Sequence, residues 1–179
     1  MELIPLDEER LIRRSALWLT ERRNRQWLDF GDGAHDMGPG TLKAMARDDA
    51  HIIRAFTADD TGEPIGLVAL SSVNPDFRSA VLWAILGDRR YAAKGYVYRA
   101  TTAMLTLGFA EYGLECVNAW AVECNHASLR ILRKLNFTPI GRQRNCHDID
   151  GQRFDRLLFE LQATDHSNRS DAGEPRSPA

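Results

Sequence analysis

The chain has 179 residues, 44% of them hydrophobic, which is the size of one domain with enough apolar content for a core. A formal net charge of -2 excludes a dedicated nucleic-acid binder, since phosphate contacts need a basic surface. The longest apolar runs, such as Ile65 to Leu70, are too short to span a bilayer, and residues 1 to 30 have no apolar signal segment.

Met1 to Leu6 reads as a short strand, followed by a helix from about Glu8 to Leu19 that Asp7 can cap. A basic, aromatic stretch, Arg22-Arg23-Asn24-Arg25-Gln26-Trp27, precedes a glycine-rich loop from Gly31 to Gly40 and a short helix from Thr41 to Arg47. Strands are expected at His51 to Thr57, Pro64 to Val73 and Ser79 to Leu86. The spacing of Ala103, Met104, Leu107 and Ala110 predicts a helix over Arg99 to Tyr112, with Gly108 placed for close packing on a sheet. Glu115 to Glu123 is a strand and Asn125 to Leu135 a helix, closed by Asn136 in a left-handed conformation. Thr138 to His147 and Arg153 to Leu161 form a hairpin turned at Ile149-Asp150-Gly151. From Ala163 the composition is that of a disordered tail, so residues 1–162 are expected to form one domain and 163–179 a C-terminal extension. The element order predicts an α+β fold with a mixed, twisted sheet.

Cys116, Cys124 and Cys146 include no C-x-x-C pair, which fits reduced thiols in the cytoplasm and no metal centre. Cys146 and His147 are neighbours on a strand and point to opposite faces, so they do not make a catalytic pair.

Two segments carry the chemistry. Ala93-Lys94-Gly95-Tyr96-Val97 stands between a strand and a helix start, where backbone N–H groups and the helix dipole favour an anion. Asn125-x-x-Ser128, a helix, and Lys134-Leu135-Asn136-Phe137 follow the next strand. This order resembles the GNAT N-acetyltransferase superfamily, and the second pattern resembles its branch of ribosomal-protein and amino-sugar acetyltransferases. The resemblance covers roughly residues 2 to 161 and keeps only Gly95 of the family's phosphate-loop pattern, with Ala92 and Val97 at the other two positions.

The resemblance implies a GNAT-like fold and an acyl-CoA co-substrate, most simply acetyl-CoA, with no metal. Its cofactor site would comprise Ile85, Leu86, Gly87, Lys94, Gly95, Tyr96, Val97, Asn125 and Ser128. Leu86 would offer a backbone N–H to the thioester oxygen from a bulged strand. Asn125 reads equally as a plain helix cap. The tyrosine many members use to protonate the leaving thiolate is replaced by Leu132.

Two residues are candidates for the base that deprotonates the amine: Glu123 first and His147 second, against structural roles for both. Arg22, Arg25 and Trp27, with Trp83, are expected to bind the acceptor, and Arg142 and Arg144 add a second charged wall. The expected acceptor is a small-molecule amine, with preference for an amino sugar, nucleotide-linked ones included. A protein N-terminus and a non-catalytic acyl-CoA-binding module are the alternatives. The expected enzyme is cytoplasmic, a monomer or homodimer, and engages neither nucleic acid nor membrane.

Overall fold

Seven strands form one sheet in the order β1-β2-β3-β4-β5-β7-β6 in the computed structural model, which describes residues 1–29 and 37–166. The strands are β1 (Leu3–Pro5), β2 (His51–Thr57), β3 (Pro64–Asn74), β4 (Ser79–Leu86), β5 (Cys116–Val122), β6 (Thr138–Ile149) and β7 (Gln152–Gln162). The helices are α1 (Glu9–Thr20), α2 (Arg22–Arg25), α3 (Pro39–Met45), α4 (Tyr96–Ala110) and α5 (His126–Lys134). All neighbouring strands are antiparallel except β4 and β5, which run parallel because α4 carries the chain between them. The α+β expectation holds.

Strand alternation divides the core. Val68, Leu70, Ala80, Leu82, Val117 and Ala119 pack with Met104 and Leu105 of α4 and Leu129 and Leu132 of α5. Ile53, Ala55, Leu67, Ala69 and Ile85 face the other way, onto Ile12, Trp18 and Leu19 of α1 and Leu42 of α3. The sheet is therefore covered on both faces across β2 to β4. Gly108 lies against Leu70, where a Cβ would come within 2.6 Å of its Cδ1, so the glycine permits the close approach of α4.

Helix starts differ from the expected ones. α3 begins at Pro39, whose fixed φ and missing N–H suit a first helical turn. α4 begins at Tyr96, three residues before the expected Arg99, because Gly95 at φ 81° turns the chain directly into the helix. Asn136 (φ 64°) takes the left-handed conformation, and Asp150 (φ 56°) and Gly151 (φ 80°) make the hairpin turn. Residues 163 to 166 form a helical turn, and the rest of the expected tail lies outside the described residues, as does most of the Gly31 to Gly40 loop.

Candidate active site

Parallel pairing of β4 with β5 lasts for three residues, Ser79 to Val81 against Cys116 to Asn118, and then stops. From there β5 follows β7, whose register it keeps to Val122, while β4 stays on β3 to Leu86. The two strands separate, and a wedge opens between Leu82–Leu86 and Ala119–Val122. Gly87 donates its N–H to the Ile65 carbonyl at 2.8 Å, on the β3 side. Alternation along a strand turns the N–H and C=O of Leu86 and Ala84 the other way, into the wedge. That unpaired edge can accept an amide-rich chain as though it were another strand. After a register shift between Ser71 and Asn74 opposite the start of β4, the pairing runs regularly from Val81 to Leu86; a further extra residue follows, where the Gly87 and Asp88 N–H groups both reach Ile65 O.

At the mouth of the wedge the chain passes through a short 3₁₀ turn, Arg89–Tyr91, and then Ala93 (φ 60°) and Gly95 (φ 81°). The first α4 hydrogen bond is Arg99 N–H to Gly95 O, at 3.0 Å. Among the described residues, nothing accepts from the N–H groups of Ala93, Lys94, Gly95, Tyr96 or Val97. A Cβ on Gly95 would meet nothing within 4 Å, so the loop is open above it. Unclaimed donors at a helix N-terminus with clear approach suit a pyrophosphate. This is the fit that acyl-CoA requires.

The side chains in this loop divide the work. Tyr96 is buried and its hydroxyl accepts from the Asp59 N–H at 3.1 Å, which spends the ring on the core and leaves its backbone to the loop. Lys94 Nζ stands 4.9 Å from the centroid of Tyr91. Across the wedge, Asn125 Oδ1 accepts from Ser128 N–H at 3.2 Å, so the capping reading of Asn125 holds. Leu132 is buried, and no hydroxyl stands at its position.

On the opposite face, α1 and α2 close on the end of β4. Gly87 lies flat against Trp18, and a Cβ there would fall inside the indole. Arg23 donates to the Gly87 carbonyl at 2.9 Å and pairs with Glu21. Arg22, an expected acceptor ligand, forms an ion pair with Asp150 at the hairpin tip. Arg25 is exposed and Trp27 half-buried. Trp83 shares the α1 face of the sheet, with its indole N–H donated to Ser71 Oγ at 2.8 Å.

His147, the second candidate base, is 6% exposed and has both ring nitrogens engaged. Nε2 donates to the Gln26 carbonyl at 2.7 Å, and Nδ1 accepts from Arg156 Nε and a terminal guanidinium nitrogen at 3.1 and 3.0 Å. This corrects its expected role, because neither nitrogen is open to an incoming amine. Cys146, its neighbour in sequence, is exposed where His147 is buried.

Glu123 follows β5 at the wedge. Its Oε1 accepts from Asp155 N–H at 3.0 Å and its Oε2 from Arg142 at 2.6 Å. Asp155 in turn takes Arg142 and the Asn145 N–H, the latter at 2.8 Å, where three residues of β6 bulge opposite it. These donors, Asn145 N–H first, hold the Asp155 carboxyl below the usual range. Sequence reasoning missed Asp155, Arg156 and the Arg23–Gly87 contact. Their partners are 10, 9 and 64 positions away, and no local pattern announces them.

A family model described as an acetyltransferase (GNAT) domain matches residues 7–138. The chain belongs to that family. It is an N-acetyltransferase, with acetyl-CoA as acyl donor. Comparison with curated proteins returned no match. Among solved structures, a mutant of the spermidine N-acetyltransferase SpeG from Vibrio cholerae aligns with a TM-score of 0.81 at 19% identity, over 95% of this chain and 99% of that one. SpeG in complex with CoA and spermine aligns at 0.79 and 18% identity, over 93% and 98%. A probable acetyltransferase aligns at 0.73 and 21%, over 89% and 91%. At these identities the likeness is one of fold. Among the described residues, no helix is long and apolar enough to cross a membrane.

Proposed function

We propose that this acetyltransferase passes the acetyl group directly to a primary amine on a molecule that also carries negative charge, with a nucleotide-linked amino sugar as the preferred class. The supporting observation is the charge balance of the acceptor side. Glu21, Asp29, Glu123, Asp148, Asp150 and Asp155 are each ion-paired with an arginine. Arg25 and Arg144 have no such partner among the described residues and are exposed. A cleft with its carboxylates neutralised and guanidinium forks to spare suits a diphosphate or carboxylate better than a polycation. Trp27, two residues from Arg25, offers a face on which a base or sugar can stack.

In this reading the donor loop Ala93 to Val97 holds the pyrophosphate, and the open edge of β4 holds the amide-bearing arm. Acetyl-CoA supplies the activated acyl group. Leu86 N–H donates to the carbonyl oxygen as negative charge develops there, and the cleft places the amine on the carbonyl carbon. Glu123, oriented by Asp155 N–H and Arg142, takes the proton the amine loses. With leucine at 132, solvent water returns a proton to the departing thiolate. Three free cysteines accord with a cytoplasmic setting.

The test is thiol release from acetyl-CoA with a nucleotide-linked amino sugar and with spermidine. The proposal expects the amino sugar to react with the higher kcat/KM, and Arg25→Glu to raise its KM about tenfold, equivalent to ~1.4 kcal/mol. Preference for spermidine, undiminished in that variant, would overturn the acceptor assignment.

A further inference from the structure

Ala93 and Gly95 are both left-handed, at φ 60° and 81°, and together they shape the donor loop. Glycine adopts that conformation freely, whereas alanine adopts it at a cost and keeps it only where its surroundings impose it. The loop does not impose it on itself, since among the described residues nothing accepts from the N–H groups of residues 93 to 97. Support comes from behind, from the turn between β2 and β3.

That turn is braced across itself. Ala58 N–H donates to the Glu63 carbonyl at 2.9 Å, and Gly62 N–H to the Ala58 carbonyl at 3.0 Å. Two consecutive residues of the turn, Asp59 and Asp60, hold the chain on both sides of the donor loop. Before the loop, Tyr91 donates its hydroxyl to Asp60 Oδ1 at 3.2 Å. After it, Tyr96 accepts from Asp59 N–H at 3.1 Å, and Arg99 donates to Asp59 Oδ1 at 3.1 Å. The two tyrosine rings are buried and meet edge to face, with centroids 5.5 Å apart. Only Ala92 to Gly95 lies between them, so the loop hangs from two fixed points.

We infer that Tyr91 and Tyr96, anchored through their hydroxyls on the β2–β3 turn, are positioning residues that hold Ala93 left-handed and so preform the donor loop for the pyrophosphate of acetyl-CoA. Calling this loop the pyrophosphate site rests on the function proposed above. The Arg99–Asp59 pair is half-exposed and adds little. The two hydroxyl bonds are together comparable with the cost of a left-handed alanine, so without them Ala93 leaves that conformation in a large share of the free molecules. Acetyl-CoA then binds the remaining share, and its apparent affinity falls in proportion.

The experiment needs no acceptor. Acetyl-CoA binding is measured by calorimetry on the full-length protein and on Tyr91→Phe/Tyr96→Phe, in which both rings stay in the core and both hydroxyls are gone. The expected Kd is about fivefold higher in the double variant. Adding Ala93→Gly to it should return Kd to within about twofold of the native value, because glycine is left-handed without help. Asp60→Ala, at an exposed residue, should shift Kd the same way by a smaller factor and leaves the core untouched. Native affinity in the double variant and in Asp60→Ala, or a weakened double variant that Ala93→Gly fails to restore, would overturn the inference. Gly95→Glu, measured alongside, separates the two readings. If it abolishes binding while the double variant binds normally, only the positioning role fails; if it also binds normally, the loop is not the pyrophosphate site and both fail.

Discussion

Arg23 of α2 and Gly87 at the end of β4 are joined by one hydrogen bond of 2.9 Å, from a guanidinium nitrogen to a carbonyl. The bond lands one residue beyond Leu86, whose N–H faces the wedge. Replacing Arg23 with methionine keeps the stem and removes the donor. The expected loss is about 1 kcal/mol, discounted for a half-exposed side chain, or roughly fivefold in kcat with acetyl-CoA affinity unchanged. Steady-state kinetics with calorimetric binding checks it.

Gly87 also tests the packing of α1 on β4. Any Cβ there enters the Trp18 ring. Gly87→Ala should cost about 1–3 kcal/mol in a denaturant melt, the range of an overpacked core.

Gly95 behaves in the opposite way, since space above it is open but its φ of 81° is left-handed. Gly95→Ala should cost about 1–2 kcal/mol of stability from strain alone. Gly95→Glu adds a carboxylate at the proposed pyrophosphate loop, and should abolish the rise in melting temperature that acetyl-CoA produces.

Asp155 gives the fold an acid-sensitive point. Its carboxyl is held below the ordinary range by Asn145 N–H and then Arg142, so its contribution is full above about pH 4 and is lost as pH falls through the depressed folded-state value. Asp155→Asn should therefore melt below the native protein at pH 7, with the gap narrowing as both are acidified under pH 4. A constant gap would remove the carboxylate from this role.

Glu123→Gln separates chemistry from bracing. Loss of its exposed pair with Arg142 should change stability by less than about 1 kcal/mol. If Glu123 takes the proton from the amine, kcat falls at neutral pH while acetyl-CoA affinity holds. An unaltered pH–rate profile would assign proton removal to water.

The parts of this account that sequence supplied are those encoded within a few residues. Asn125 and Ser128 lie three apart, Gly95 precedes its own helix, and Asp150-Gly151 specifies its own turn. No local pattern announces the wedge, because strand separation is decided by β7 pairing with β5 from far along the chain. The same limit hid the fate of Arg22 and His147. A side chain's role depends on what stands opposite, and Asp150, Gln26 and Arg156 come opposite only after the hairpin folds over α2.

The central claim is that one cleft brings acetyl-CoA and an amine together. The direct measurement is free thiol released from acetyl-CoA by purified protein, with and without a nucleotide-linked amino sugar. The account predicts amine-dependent release that Gly95→Glu abolishes. Binding of acetyl-CoA with no release above the amine-free rate, across primary amines of either charge, would contradict it.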